Sequence, residues 1–506
     1  MGVQVERFWA TAILLGVYAT VLLFFVIRGA LRTKSLSDYA LGSGAGFSPV
    51  AVGLSLAATT TSAATFIINP GFVALYGWSA FVAMSIALPL GLTISLVVLT
   101  HRFRRYGSSV KALTLSQWIG RRYDSVPFSR WIAALSFLLL TFIVLICVGM
   151  TKVIAQALGA GEFGVLLGLV LFVFGYMMFG GANSLVYTNM VQALLMLVVA
   201  VAMLSSGRGY FSEGIAGFWA RLEAIDPLLT ASVNPTSALF RDWFEVFFCN
   251  FVVGVAIVCQ PHIVTRSLLL RNERDVNRYL AVGIGAQILF FAVLFTGFYA
   301  RLRFPDLTLG GVALKMDGII PAYVVEVFSI ALGLLVIMGL LSAGLSTLEG
   351  LIQSLSTTLT SDLFASLLGW GEGRESRVKV LHRGVIATLA AAAVGWSHDQ
   401  LLHPNLSVGI LAQNGVYAFF SAAFVPVLLG ISMKHPPQKA AFAASVAAFV
   451  IHFLVYYGGL TPYTQGAVRN PAVAAAIAIV GASLIGAIFY FFQKKQTYEK
   501  TSERFF

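Results

Sequence analysis

The chain has 506 residues, of which 58% are hydrophobic and only 11% are charged. Soluble domains carry about 25% charged residues, so this composition excludes an ordinary soluble protein and indicates a polytopic membrane protein. The net charge of +12 does not indicate a nucleic-acid partner, because most Lys and Arg residues fall on one side of the predicted spans, as the positive-inside rule requires.

Thirteen segments are apolar and reach the length of about 20 residues that a membrane-spanning helix needs. They lie at 9–30, 47–77, 79–101, 131–158, 163–182, 186–206, 243–266, 279–301, 322–362, 381–400, 405–432, 438–459 and 470–492. The first is too long for a signal peptide, so we expect it to remain as a helix. The basic residues predict a multi-pass protein of the inner membrane, with its N-terminus outside and its C-terminus in the cytoplasm.

The sequence contains no pattern typical of an enzyme or of a nucleotide-driven pump. Its three cysteines and seven histidines show no metal-ligand spacing, and there is no glycine-rich nucleotide loop. We therefore predict no enzymatic activity, no nucleotide and no nucleic-acid partner. A secondary transporter or a channel in the lipid bilayer remains.

Two of the predicted spans carry interruptions typical of the discontinuous helices of secondary transporters. SPVAVGLSLAATTTSAATFIINPGFVAL (48–75) has a run of weak helix formers at 59–62, and FEVFFCNFVVGVAIVCQPHIVTR (244–266) contains Gly254 and Pro261. The prediction is an all-α fold with two inverted five-helix repeats, each beginning with a discontinuous helix. Its units are a peripheral helix and loop (1–46), the first repeat with an external loop (47–242), the second repeat (243–432), and two peripheral helices with a tail (433–506).

A polar stripe runs along the ninth predicted span, within SAGLSTLEG (342–350) and the residues after it. Small and hydroxyl side chains recur there at the i, i+3, i+4, i+7 spacing of one helix face. Ser346 and Thr347 offer hydroxyls and Ala343 a carbonyl, and with carbonyls from the interrupted second span they suit a small alkali cation. The alternative is that these hydroxyls bond to their own helix and support packing; two polar stretches together favour the cation site.

Three stretches, in this order and spacing, resemble the sodium/solute symporter family. SLAATTTSAATFIINPG (55–71) resembles its broken first core helix, GGANSLVYTNMVQALLM (180–196) its fifth core helix, and AGLSTLEGLIQSLSTTLTSDLF (343–364) its eighth. The resemblance covers nearly the whole chain. It implies a sodium-coupled symporter of a small organic solute, with a sodium site made by the carbonyls of Ala58, Thr61 and Ala343 and the hydroxyls of Ser346 and Thr347.

The chain departs from the family pattern at two positions that bear on ion coupling. Asn189 replaces the family's fifth-helix Asp, and Glu349 stands where relatives keep a hydroxyl. The resemblance therefore implies that the family's second sodium site is absent. One hypothesis is that Glu349 faces Asn189 and keeps a cation or carries a proton. The alternative, equally open, is a protonated Glu349 hydrogen-bonded to Asn189 as a packing contact.

The substrate is expected beside the break in the second span. Thr60, Ser62 and Thr65 resemble the positions that hold a carboxylate in sialic acid transporters, and an exposed helix N-terminus suits an anion. The alternative is that these hydroxyls only stabilise the break. A carboxylate is the favoured solute; a proline-like amino acid, a proton-coupled mechanism or a channel-like mode are alternatives.

Further polar residues near the expected pore come from the seventh and eleventh spans. CQPHIVTR (259–266) resembles the GQPHI..R motif of the proline, pantothenate and monocarboxylate branches, and its Gln260 is predicted to reach the cavity. His262 and Arg266 are instead expected to anchor the cytoplasmic end of the helix. AQNGVYAFF (412–420) adds Gln413, Asn414 and Tyr417 as substrate or gating residues, with interhelical hydrogen bonding as the alternative.

Overall fold

Helices make up almost all of the computed structural model, which describes residues 2–42, 46–370, 374–403 and 408–502. In chain order they are α1 Gly2–Ala30, α2 Leu36–Leu41, α3 Pro49–Thr60, α4 Ala64–Tyr76, α5 Trp78–Ser109, α6 Leu115–Arg122, α7 Val126–Leu158, α8 Glu162–Met177, α9 Ala182–Ser206, α10 Gly214–Ile225, α11 Phe244–Ile257, α12 Pro261–Leu269, α13 Glu273–Arg303, α14 Met316–Val327, α15 Ile330–Ala365, α16 Glu375–Leu402, α17 Val408–Ser432, α18 Gln438–Gly458 and α19 Pro471–Ser502. A small hairpin of β1 Thr308–Leu309 and β2 Val312–Ala313 precedes α14.

Within the described residues, ten of these helices are each long and apolar enough to cross a membrane, and two bent pairs raise the number of spans to twelve. The pairs are α3 with α4, bent by 58°, and α11 with α12, bent by 60°. The count of thirteen is not confirmed, because the helix expected at 163–182 is the shorter α8, with 16 residues. A multi-pass membrane protein with two discontinuous helices is confirmed.

The long span expected at 322–362 is divided in the structure. α14 ends at Val327, and α15 begins at Ile330. Between them Phe328 (φ −94°, ψ 143°) and Ser329 (φ −57°, ψ 158°) leave the helical region, so the hydrogen-bond ladder stops. α14 is therefore a separate short helix, which an apolar composition on both sides of the break does not reveal.

Local sequence explains both breaks. Thr and Ser side chains compete with the backbone for hydrogen bonds and weaken a helix; at the first break Thr61 is extended (φ −106°, ψ 104°), and Ser62 Oγ accepts a hydrogen bond from the Ala64 amide at 3.2 Å. At the second, Gln260 is extended (φ −66°, ψ 134°), as expected for the residue before Pro261.

The broken helices lie inside the bundle. α3 packs against α9, α13 and α15, while α11 packs against α5. By contrast, only 22% of the apolar window of α1 is buried, against 78% in α17, as expected for a peripheral helix beside lipid. The backbone groups freed at each break therefore face other helices and cavities rather than the surrounding apolar medium, where they would be costly.

Candidate ion and solute site

The broken end of α3 meets the polar face of α15. Ser346 Oγ donates to the carbonyl oxygens of Ala58 at 2.8 Å and Ala343 at 3.1 Å, and Thr347 Oγ1 donates to those of Thr59 and Ala343, both at 3.3 Å. All five residues are buried. The last carbonyls of a helix lack amide partners, so side chains of α15 approach them instead. Neutral oxygens converging in this way are ligands that suit a hard cation.

Thr61, the fifth residue predicted to bind sodium, is the first residue beyond α3. It is fully buried, and its hydroxyl donates to the carbonyl of Ala57. Its extended backbone turns its own carbonyl out of the helical direction. Across the described chain there is no cluster of three or more His, Cys, Asp or Glu side chains that suits a metal ion, so a cation at the break would be held by neutral oxygens.

Glu349 lies two residues beyond Thr347, with no exposed surface, in a cluster of hydrogen-bond donors. Its Oε1 accepts from the hydroxyl of Tyr176 and from Gln192 Nε2 at 3.3 Å, and its Oε2 accepts from Thr188 Oγ1 at 2.8 Å. These partners come from α8 and α9. The carboxylate is therefore positioned by helices from the first half of the chain, although it lies in the second.

The orientation of the neighbouring Asn189 amide is assigned from the groups around it. With its nitrogen toward the carboxylate, it donates to Glu349 Oε2 at 3.0 Å and Gln192 Oε1 at 2.9 Å, and its oxygen accepts from Arg266 Nη2 at 3.2 Å. The opposite orientation would place an oxygen against two acceptors. Asn189 and Glu349 are thus in contact, and Arg266 joins them.

Arg266 and His262 are not end anchors, which corrects the expectation from the sequence. Both are only 2% exposed. Arg266 Nη2 also donates to Thr59 Oγ1 at 3.1 Å, and Nε donates to the His262 carbonyl at 3.3 Å. The reason is the 60° bend between α11 and α12, which turns the second half-helix inward across the end of α3.

A cavity with about 830 Å³ of empty space, including its opening, lies beside the break. Six of the seven residues predicted to bind substrate line it: Thr60, Ser62, Thr65, Gln260, Gln413 and Tyr417. Its apolar wall includes Met84, Leu88, Leu92, Phe142, Leu145 and Phe291. No charged side chain is among the lining residues that the structure describes. The cavity thus combines neutral hydrogen-bonding groups with a large apolar surface.

Two polar residues at the cavity were missed, and one predicted residue lies elsewhere. Asn69 and Asn250 line the cavity; a lone amide in an apolar span was the available signal for each. Asn414 is instead directed at α18, where its Nδ2 donates to Tyr457 at 3.1 Å and its Oδ1 lies 2.9 Å from His452 Nε2. Asn414 therefore makes the interhelical hydrogen bonds that were the alternative for Gln413, Asn414 and Tyr417.

Gln260 is the cavity residue with the clearest unmet hydrogen-bonding capacity. It is 2% exposed, and its Oε1 has no hydrogen-bond partner among the described residues. A buried acceptor without a partner is costly, so it normally has one. A donor on a bound solute is one such partner.

An ion pair lies near the cavity, where α14 approaches α7. Lys152 Nζ lies 3.8 Å from Asp317 Oδ2, and both border a small second cavity along α4. Burial raises the pKa of the Asp317 carboxyl above its ordinary value, while Lys152 and then Lys315 act in the opposite direction. Because both side chains keep some exposure, the pair is expected to contribute little to stability.

Asp317→Asn is expected to change how stability depends on pH. A raised pKa means that the folded state holds the proton more tightly, so this carboxyl favours folding below about pH 4 and loses that contribution as the pH rises through the raised pKa. The difference in thermal unfolding midpoint, D317N minus wild type, should therefore increase as the pH is raised from about 4 to neutral. Asp306→Asn, in an exposed loop position, is the control; equal pH profiles for D317N and wild type would contradict the expectation.

Comparison with known proteins identifies the family of this chain. The model of the sodium:solute symporter family matches residues 39–447, which is most of the sequence. The chain belongs to the sodium:solute symporter family. This agrees with the resemblance carried by the three sequence stretches, and sodium is the ion for which the family is named.

The symporter has curated relatives with two different solutes in their names. It is 26% identical over 453 residues to the sodium/pantothenate symporter of Escherichia coli (strain K12), covering 85% of this chain and 88% of the relative. It is 25% identical over 461 residues to a sodium/proline symporter of Staphylococcus aureus, covering 84% and 81%. Its relatives are therefore transporters.

Among solved structures, the symporter resembles the substrate-bound outward-open state of a Na⁺-coupled sialic acid symporter. The TM-score is 0.74 at 20% identity, with 95% of this chain and 98% of the other covered. A manganese transporter of Eremococcus coleocola gives a TM-score of 0.51 at 12% identity, covering 90% and 94%. At these identities the likeness shows the fold.

Proposed function

We propose that this symporter couples the inward movement of sodium to the import of a small organic carboxylate by alternating access. The observation that carries the proposal is that two consecutive residues, Thr59 and Thr60, face the oxygen cluster and the cavity respectively. The Thr59 carbonyl accepts from Thr347 at the oxygen cluster, whereas Thr60 lines the cavity. An ion at Ala58, Thr61, Ala343, Ser346 and Thr347 would thus bear directly on the position of the solute.

The coupling follows from the geometry of the break. Sodium at the oxygen cluster would hold the end of α3 against α15, in the conformation that presents Thr60 and Ser62 to the cavity. A solute that binds this conformation more tightly stabilises it further, and loss of sodium on the low-sodium side weakens the hold on the solute. We assign the alternating-access movement to the two repeats, 47–242 and 243–432. The chain would lie in the inner membrane with its N-terminus outside and its C-terminus in the cytoplasm.

The chemistry of the cavity favours a carboxylate with an apolar body. Ser62 and Thr65 lie at the start of α4, where the positive end of the helix dipole favours an anion. A cationic solute would find no carboxylate among the described lining residues. An amino acid is the second candidate, because the unpartnered Gln260 Oε1 offers an acceptor for an ammonium. The pantothenate and proline symporters among the relatives are consistent with both.

We further propose that Asn189 and Glu349 take part in coupling through Thr59. Arg266 Nη2 lies 3.1 Å from Thr59 Oγ1 and 3.2 Å from the Asn189 amide oxygen. The backbone carbonyl of the same Thr59 faces Thr347. The Glu349 cluster is therefore joined to the same residue of α3 that contacts the proposed sodium ligand Thr347.

The proposal is tested by uptake into proteoliposomes from a panel of carboxylates and amino acids, with and without an inward sodium gradient. We expect at least one carboxylate to accumulate only with sodium. The matched amide of that solute, which keeps its size but lacks its charge, should be taken up at least tenfold more slowly. Accumulation without sodium, or equal uptake of the acid and its amide, would contradict the assignment.

A further inference from the structure

A buried guanidinium lies against the end of α3. Arg266 is 2% exposed, and one terminal nitrogen, Nη1, has no hydrogen-bond partner in the described parts of the chain. An arginine side chain keeps its proton in proteins, and removing that charge from water is costly unless another charge balances it. A compensating negative group must therefore lie close by.

Glu349 is the acidic residue that is joined to Arg266 through the Asn189 amide, and hydrogen-bond donors surround its side chain. Four neutral groups donate to it: the Tyr176 hydroxyl and Gln192 Nε2 to Oε1, and Thr188 Oγ1 and Asn189 Nδ2 to Oε2. An ionised carboxylate has about four lone-pair sites, and all of them are used. The arrangement thus compensates a negative charge at Glu349 with donors of the protein itself.

Asn189 joins the two charges, and Gly350 makes room for one of them. The Asn189 amide donates to Glu349 Oε2 at 3.0 Å and accepts from Arg266 Nη2 at 3.2 Å. A Cβ atom at position 350 would lie 3.2 Å from Arg266 Nη2 and 2.8 Å from Thr59 Cγ2. The dipeptide Glu349–Gly350 therefore provides both the counter-charge and the space for the guanidinium.

The Arg266 guanidinium lies at the C-terminal end of α3, the first half of the broken helix. α3 ends at Thr60, and the C-terminal end of a helix carries a partial negative charge that attracts cations. Arg266 reaches this end at Thr59 Oγ1 (3.1 Å), while the Thr59 carbonyl faces the proposed sodium ligand Thr347 at 3.3 Å. Thr59 alone thus lies between the Arg266 guanidinium and the proposed sodium ligand Thr347.

We propose that the Arg266 guanidinium is a built-in second cation of the coupling machinery, held against α3 by Glu349 through Asn189, so that one sodium and no proton accompanies each solute. This inference rests on the proposed sodium symport. It assigns Arg266 and Gly350 a positioning role that neither the family resemblance nor the sequence suggested.

The first test counts sodium ions on the wild-type protein. Equilibrium binding of ²²Na⁺ to the purified, detergent-solubilised chain should saturate at one ion per molecule. Two ions would overturn the inference while leaving sodium symport in place. No bound sodium would overturn the proposed function itself, and the inference with it. This measurement needs no variant and so does not depend on how variants fold.

The second test asks whether the two charges act as a pair. R266Q and E349Q should each lower sodium-driven uptake at least tenfold, because each leaves one buried charge uncompensated. R266Q/E349Q, which removes both charges, should recover at least tenfold over either single variant, and R266K should retain more uptake than R266Q. Purified variants are compared by thermal unfolding to separate transport from folding.

Arg104 provides the matched control for the pair. It is also buried, at 6% exposure, but within the described residues its guanidinium donates to the carbonyls of Ser267 and Leu270 alone, each at 3.0 Å. R104Q/E349Q should not recover the uptake lost in E349Q. If R266Q/E349Q recovers no more than R104Q/E349Q, the pairing is refuted.

A pH gradient tests the absence of proton coupling. The other described titratable side chains near the pair are Tyr18, Tyr39, Tyr176, Tyr279 and His262. A pH gradient alone, without sodium, should drive no accumulation of a solute that the sodium gradient drives. Accumulation under that gradient in wild type would show proton coupling and overturn the inference.

Discussion

Replacing Ser346 or Thr347 with alanine is expected to raise the sodium concentration for half-maximal uptake about tenfold or more in each case. The two hydroxyls lie between the carbonyls at the end of α3 and that of Ala343. The described residues include no cluster of acidic side chains that could compensate for their loss. A hydrogen bond to a charged group contributes about 1.5–3 kcal/mol, which we take as the scale for one oxygen ligand of sodium, and about 1.4 kcal/mol corresponds to a factor of ten. Sodium titration of uptake at saturating solute measures the effect.

Ser356→Ala is the control for this prediction. Ser356 is a buried hydroxyl on the same helix, but it donates to the Gln353 carbonyl of its own helix at 3.3 Å. Its removal should leave the sodium dependence at the wild-type value. If S346A and T347A also keep that value, the oxygen cluster is a packing contact of the kind that hydroxyls make in membrane helices.

Gln260→Leu is expected to raise the KM for solute at least tenfold with little change in sodium affinity. The substitution keeps the approximate size of the side chain but removes a buried amide that lines the cavity and whose Oε1 has no hydrogen-bond partner among the described residues. A site that lacks its hydrogen-bonding group loses discrimination for solutes that carry the matching one. Uptake kinetics at fixed sodium give the KM, and sodium binding without solute gives the second quantity.

Gln353→Leu makes the same chemical change outside the cavity. Gln353 Nε2 donates to the carbonyls of Tyr39 at 2.8 Å and Ala40 at 3.2 Å, so its loss should lower thermal stability and leave KM unchanged. A KM for Q260L within twofold of wild type would remove Gln260 from the solute site. Equal increases in KM for both variants would indicate a general loss of packing instead.

The apolar spans and the position of the breaks could be predicted from local sequence. A run of about 20 apolar residues has few alternatives to a helix in a membrane, and the Thr-rich stretch and Pro261 weaken the helix where they stand. The limit of this reasoning appears at Phe328 and Ser329, where a helix ends within an apolar segment, and at α8, whose length falls short of a full span.

The polar stripe on α15 was also predictable, because its periodicity requires one face to avoid lipid. Ser342, Ser346, Thr347 and Glu349 are all fully buried. What the stripe touches was not predictable, since hydroxyls that bind an ion and hydroxyls that bond to a neighbouring helix have the same spacing. The proposed ligand carbonyls of Ala58 and Thr61 came from the family resemblance.

The sequence by itself determined the membrane class, the family, the broken helices and the residues that differ from the family pattern at 189 and 349. The tertiary structure alone decided that Arg266 lies inside the bundle and that Asn414 faces α18 rather than the cavity. It also decided that Thr59 contacts both Arg266 and Thr347. The physical reason is that periodicity and propensity act over a few residues, whereas the bend angle between two half-helices sets the direction of everything beyond it. A 60° bend turns a basic residue that would otherwise continue along the line of α11 into a buried charge beside a carboxylate 83 positions later in the chain.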